Sequence, residues 1–124
     1  MLDHISIGVP DLAAANRFYT AALAPLGYRA LYERDTYTGY GATRCEFWLN
    51  TTATPIAPDA NNGLHISFIA ADKPAVDAFH AAALAAGGTD NGPPGPRPHY
   101  TAAYYAAFII DPWGHRIEAH TETP

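Results

Sequence analysis

Shifted against itself by 61 residues, this 124-residue chain repeats. Segment 4–27, HISIGVPDLAAANRFYTAALAPLG, falls on segment 65–88, HISFIAADKPAVDAFHAAALAAGG, with eleven of 24 positions identical. Four of the matches are alanine pairs, which an alanine-rich chain yields by chance. The His-Ile-Ser opening (His4/His65, Ile5/Ile66, Ser6/Ser67), the Asp11/Asp72 pair and the Phe18/Phe79 pair are harder to obtain that way. Two copies of one supersecondary unit are implied, about 1–60 and 61–124, within a single domain spanning 1–124.

Each copy opens with a strand. Over 4–9, Ile5, Ile7 and Val9 point one way and His4, Ser6 and Gly8 the other; 65–70 repeats the alternation with Ile66, Phe68 and Ala70. A helix follows, with Asp11 and Asp72 as N-caps and Pro74 in a first turn that needs no N–H. Ala15, Phe18, Tyr19, Ala22 and Leu23 form one apolar stripe, and Val76, Phe79, His80, Ala83 and Leu84 the other. Gly27 and Gly87-Gly88 end the helices. Short strands are expected at 28–33, 36–41 and 44–50, and again near 88–91, 102–110 and 116–121. Asp111-Pro112-Trp113-Gly114 marks a turn. The prediction is α+β: two βαβββ repeats forming a curled, open mixed β-sheet with the helices outside. Residues 91–99, with four prolines, are expected as a stiff loop bearing specificity.

Composition narrows the function. The chain is 48% hydrophobic and 15% charged, so it can bury a core; its formal charge of −5 argues against a nucleic-acid partner. No apolar run approaches the roughly 20 residues of a membrane span, and the N-terminus lacks a signal-peptide pattern. A lone cysteine, Cys45, excludes an intrachain disulfide framework and suits a reducing, cytoplasmic setting; facing away from Glu46, it is expected in the core.

The polar residues converge. His4 and His65 open equivalent strands. The closing strands read Cys45-Glu46-Phe47-Trp48-Leu49 and Arg116-Ile117-Glu118-Ala119-His120. With Phe47, Leu49, Ile117 and Ala119 facing the helices, Glu46, Trp48, Glu118 and His120 face the other side. Two imidazoles and two carboxylates at equivalent places would meet across a pseudo-twofold. Such a set binds a divalent metal (nickel, zinc, iron, manganese or cobalt) and leaves positions open for substrate. Glu46 has a plainer reading as a charge that guards an edge strand. Trp48, Arg97, His99 and Tyr100 are candidates to line the substrate pocket, Tyr100 as a hydroxyl donor. Tyr104 and Tyr105 read as ordinary strand residues, and His115 as a solvated turn residue.

The opening Leu2-Asp3-His4-Ile5-Ser6-Ile7-Gly8-Val9-Pro10-Asp11-Leu12, then Arg17-Phe18-Tyr19, Leu26-Gly27-Tyr28, Gly63-Leu64-His65-Ile66-Ser67-Phe68 and the ending Asp111-Pro112-Trp113-Gly114-His115-Arg116-Ile117-Glu118 resemble the vicinal oxygen chelate superfamily. That group holds glyoxalase I, bleomycin-resistance proteins, fosfomycin-resistance proteins and extradiol dioxygenases. The resemblance implies metal ligation by His4, His65 and Glu118, with Glu46 as the fourth ligand of a small glyoxalase I-like member. It implies a lyase or isomerase acting on a small substrate chelated through two vicinal oxygens, with Glu118 or Glu46 moving a proton. Where glyoxalase I carries an arginine for glutathione this chain has Gly8-Val9, which argues against a glutathione adduct. Two other functions fit the same resemblance: an extradiol-type ring-cleaving dioxygenase using ferrous iron, and a non-catalytic protein that binds a drug or antibiotic. A homodimer is expected, since Tyr37, Tyr40, Trp48 and Tyr105 are more apolar surface than a small monomer exposes, and small relatives often pair and sometimes share ligands.

Overall fold

A computed structural model describes residues 1–57 and 59–124. The N-terminal half runs β1 (Ile5–Val9), α1 (Leu12–Leu23), a 3-10 turn (Ala24–Leu26), β2 (Arg29–Glu33), β3 (Tyr37–Gly41) and β4 (Phe47–Thr51). The C-terminal half runs β5 (Ile66–Ile69), α2 (Lys73–Ala85), β6 (Thr89–Pro96), β7 (Tyr105–Ile110) and β8 (Arg116–Thr121). The βαβββ repeat is therefore present, and each copy makes its own four-stranded mixed sheet. The orders are β1-β4-β3-β2 and β5-β8-β7-β6, with β1–β4 and β5–β8 parallel and the remaining pairs antiparallel.

Local chemistry sets the helices. Asp11 accepts from the Ala14 N–H and Asp72 from the Ala75 N–H, satisfying N-terminal donors that have no partner inside the helix. Gly27, at φ 82°, turns the chain out of the 3-10 segment in a left-handed conformation that side chains resist. The stripe of α1 is buried as expected, as are Val76, Phe79, His80 and Ala83 of α2; Leu84 is instead 39% exposed.

One core joins the halves. The helices touch each other, α1 lying against β2 and β4 and α2 against β6, β7 and β8. The Phe47 and Phe68 rings meet edge to face at 5.2 Å. The Tyr28 hydroxyl donates to the Ile69 carbonyl at 2.7 Å. The buried Tyr19 hydroxyl donates to Asp111 Oδ2 at 2.6 Å, tying α1 to the turn before β8.

Four expectations need correction. Residues 91–96 are strand, not loop: β6 pairs with β7 through Asp90, Gly92, Gly95 and Pro96, with irregularities around Gly92. As the edge strand it tolerates prolines, whose missing N–H groups break no second ladder. Cys45 is only partly buried, since the segment before β4 is irregular and strand alternation does not reach it. His115 is not a free turn residue; its Nδ1 lies 2.8 Å from buried Asp111 Oδ2. Tyr40 is core rather than surface, and Tyr37, Trp48 and Tyr105 are half-buried; Leu2, Ile56, Leu64, Ile69 and Tyr100 are among the exposed large apolar residues.

Candidate functional site

Strand register decides which residues share a row. In the second sheet Ser67 lies opposite Glu118, and Glu118 opposite Phe108. In the first sheet Ser6 lies opposite Trp48, and Trp48 opposite Gly39. Ser6 and Ser67 are repeat partners, so the place equivalent to Glu118 belongs to Trp48. Glu46, two residues earlier, matches Arg116 instead. The expectation of two glutamates at equivalent places is therefore corrected: hydrogen-bonded pairing, not a residue count along each strand, fixes equivalence.

His65 and Glu118 come together. His65 Nε2 stands 3.1 Å from Glu118 Oε2, with the imidazole half exposed and the carboxylate only 2% exposed. Among the described residues, His65 is the sole ion-pair partner of Glu118. The other carboxylate oxygen, Oε1, accepts from the Tyr104 hydroxyl at 2.5 Å. Burial, and then the bond to Glu118 and its charge, push the Tyr104 phenol far above its ordinary pKa, so it stays a donor. The Tyr104 ring lies parallel to His120 at 4.6 Å, and His120 Nδ1 is 3.0 Å from the Ser67 hydroxyl.

His4 and Glu46 lie with the first sheet, and both are about half exposed. Asp3 bridges His4 Nδ1 and Arg44 Nη1, each at 2.7 Å, and Arg44 Nε reaches Glu46 Oε1 at 3.2 Å. The His4 bond, then the Arg44 bond, hold the Asp3 carboxyl below its usual range. His4 and Glu46 border a cavity of about 270 Å³ between the halves, together with Tyr28, Phe47, Phe68 and Ile69. Among the described residues of one chain, no three His, Cys, Asp or Glu side chains are grouped to hold a metal ion. Within one chain Glu46 pairs with Arg44 and Glu118 with His65, so the four expected ligands are not gathered into one cluster among the described residues.

The expected pocket residues divide likewise. Trp48 joins Tyr32 and Tyr37 in an aromatic cluster with centroids 6.0 to 6.1 Å apart, on the first sheet. His99, Tyr100 and Tyr104 form a row that ends on His120, with His99–Tyr100 at 4.3 Å and Tyr100–Tyr104 at 5.0 Å. Arg97 is occupied locally, donating to the carbonyls of Pro93 and Pro96 while its guanidinium lies over Phe108. Sequence reasoning passed over Tyr104 and Ser67. Ser67 carried a signal, as part of the repeated His-Ile-Ser; Tyr104 lies outside the repeated segment and carried none.

The His65–Glu118 pair fits one metal. Two ligand atoms each about 2.1 Å from an ion, at tetrahedral to octahedral angles, lie roughly 3.0 to 3.4 Å apart; the observed separation is 3.1 Å. The model of one protein family covers residues 1–119: Glyoxalase/Bleomycin resistance protein/Dioxygenase superfamily. The chain belongs to that superfamily. A crystal structure of a glyoxalase/bleomycin resistance protein from Albidiferax ferrireducens is 33% identical, with TM-score 0.86 over 97% of this chain and 98% of that one. Fosfomycin resistance protein FosX from Mesorhizobium loti shares the fold at 20% identity and TM-score 0.70, covering 99% of this chain and 92% of that one. A FosX mutant from Listeria monocytogenes, in complex with Mn(II) and a dihydroxypropylphosphonic acid, does so at 19% identity and TM-score 0.71, over 99% and 90%. No curated protein matches this chain. The superfamily contains metalloenzymes and resistance proteins. Among the described residues, no helix of this member is long and apolar enough to cross a membrane.

Proposed function

We propose that this protein is a divalent-metal-dependent, glyoxalase-type lyase or isomerase that acts on a small substrate chelated through two vicinal oxygens. The observation that carries the reading is the His65–Glu118 pair: a buried carboxylate and an imidazole at ligand-to-ligand spacing. His4 supplies the third ligand. Since His4 lies with the other sheet, the complete site forms between two copies, the first sheet of one meeting the second sheet of its partner. Support for pairing lies in β1 and β5, edge strands with one unpaired side each, and in Leu64 and Ile69, exposed apolar residues flanking or ending β5.

A divalent ion held there would polarise the chelated oxygens and stabilise negative charge developing on them. Glu118 would hold the ion together with His65. Glu46 sits one two-residue step from the register place of Glu118 and is half exposed beside Arg44. Glu46 is therefore assigned the role of taking a proton from substrate, rather than that of fourth ligand. Trp48 with Tyr32 and Tyr37 walls one side of the substrate space, and Tyr100 with His99 and Arg97 borders the other. The aromatic wall also favours a second reading, a binding protein for a planar drug or antibiotic, which would not need metal. A ferrous ring-cleaving oxygenase would use the same three ligands and would be distinguished by consuming oxygen.

Mixing two variants tests the shared site. His4→Ala and His65→Ala each spoil both sites of their own dimer. In a mixed dimer that shares ligands, one site loses both histidines and the other keeps both. Unfolding and refolding an equal mixture should restore roughly a quarter of the wild-type metal capacity, measured by equilibrium dialysis against nickel, zinc, iron, manganese and cobalt. No restoration would refute the shared site, and a wild type that binds none of the five ions would leave the binding-protein reading.

A further inference from the structure

We infer that Tyr104 is a positioning residue that restricts Glu118 to binding a metal through a single oxygen, a role built into the C-terminal half. The inference rests on the metal-dependent reading of the His65–Glu118 pair.

A carboxylate offers two equivalent oxygens, and one that is free to swing can grip an ion with both, filling a position that substrate needs. In this chain the two oxygens of Glu118 are already differentiated. Oε2 faces His65 Nε2 at 3.1 Å, whereas Oε1 accepts from Tyr104 at 2.5 Å. The phenol cannot drift far. Its backbone is anchored at both polar atoms, since Tyr104 N–H donates to the Thr101 carbonyl and the Tyr104 carbonyl accepts from Arg97 N–H at 2.7 Å. Its ring is packed between Tyr100, at 5.0 Å, and the parallel His120 ring, at 4.6 Å. His120 is in turn held by the Ser67 hydroxyl at 3.0 Å, and Ser67 sits opposite Glu118 in the ladder. The chain of support starts and ends on the same row of the sheet. Each member has one place to be once the strands are in register.

The hydroxyl donates to Oε1, the oxygen that does not face His65. A donor on the outer oxygen of a ligating carboxylate is the kind of partner whose loss typically lowers metal affinity about 10- to 100-fold.

The test compares Tyr104→Phe with wild type, using Co(II) alone as probe. Phenylalanine keeps the ring between Tyr100 and His120 and removes only the hydroxyl. Tyr105→Phe is the control: the Tyr105 hydroxyl donates to Asp77 on α2 and, among the described residues, makes no hydrogen bond to these groups. Co(II) affinity is read by titration, coordination number by the intensity of the visible absorption bands, and folding by thermal melting. Expected is a drop of about 10-fold or more in affinity for Tyr104→Phe, with weaker visible bands as Glu118 takes up a second bond to the ion, and no change for Tyr105→Phe. Unchanged affinity and spectrum in a folded Tyr104→Phe would overturn the positioning role while leaving the metal reading intact. A wild type that binds no Co(II) would overturn both. If Tyr104→Phe fails to fold, Ser67→Ala and His120→Phe reach the same support from its other end; a spectrum unmoved by either counts against the inference.

Discussion

Replacing Tyr19 by phenylalanine isolates one buried bond that ties the two halves together. Tyr19 is fully buried on α1, and its hydroxyl donates at 2.6 Å to Asp111, whose carboxylate has no solvent exposure. Asp111 also accepts from the Trp113 and His115 N–H groups, at 2.9 and 2.8 Å, and from His115 Nδ1 at 2.8 Å. Tyr19→Phe therefore removes one of four donors from a buried charge and leaves a gap no larger than an oxygen atom. A hydrogen bond to a charged group contributes about 1.5–3 kcal/mol; with three donors left, about 2 kcal/mol is expected. At about 2.1 cal/mol/K per residue, a chain of this length has an unfolding entropy near 0.26 kcal/mol/K, so Tm should fall by about 8 °C at neutral pH.

The pH dependence gives a second readout of the same bond. Burial first, then the Asp111 charge and its hydrogen bond, push the Tyr19 phenol well above its ordinary value. In the unfolded chain the same phenol ionises near pH 10. Above that pH the unfolded state sheds a proton that the folded state keeps. The stabilisation is thus whole below about pH 10 and is lost as pH rises toward the folded value. The gap in Tm between wild type and Tyr19→Phe should be constant from pH 7 to 9 and narrow beyond 10. Thermal melts by circular dichroism measure both. A fall under about 3 °C at pH 7, or a gap that widens in alkali, would refute the assignment of this bond as a charge-assisted tie between the halves.

Three further outcomes are expected. Glu118→Gln keeps the shape of the side chain and removes its charge; it should weaken metal binding at least about 100-fold by equilibrium dialysis, whereas Glu46→Gln should abolish turnover and leave affinity within about 3-fold. Equal loss of affinity in both variants would make Glu46 a ligand after all. Gly41→Ala would place a Cβ only 1.7 Å from the Arg44 carbonyl oxygen, so the 42–46 segment must move; a loss of about 2–3 kcal/mol by urea denaturation is expected, and a neutral result would refute the steric argument. The Asp90 carboxyl is held below its usual range by its bond to His80 first and the Gly92 N–H second, so its contribution is present above the unfolded carboxylate pKa and lost as pH falls through the folded one. Asp90→Asn should accordingly flatten the acid limb of stability below about pH 4, and an unchanged slope in urea melts from pH 3 to 5 would count against it.

What the sequence determined by itself is local and periodic. The 61-residue repeat announced two βαβββ units, and alternation placed Phe47, Leu49, Ile117 and Ala119 in the core. Asp11 and Asp72 capped their helices because a carboxylate at that position answers backbone donors whatever lies farther along the chain. His65 and Glu118 were legible as members of one polar set from the repeat and the strand alternation, and the parallel pairing of β5 with β8 brings them within 3.1 Å. Tertiary structure decided everything that depends on register or on packing between halves. It gave Trp48, not Glu46, the place equivalent to Glu118, since one two-residue slip keeps the inside-outside pattern and leaves no trace in it. It drew residues 91–96 into an edge strand where proline breaks no second ladder. It set Tyr104 against Glu118 across two strands, and His4 apart from His65 on another sheet. Those are contacts between distant stretches of chain, set by how the sheets and helices close on one another, and no periodicity encodes them.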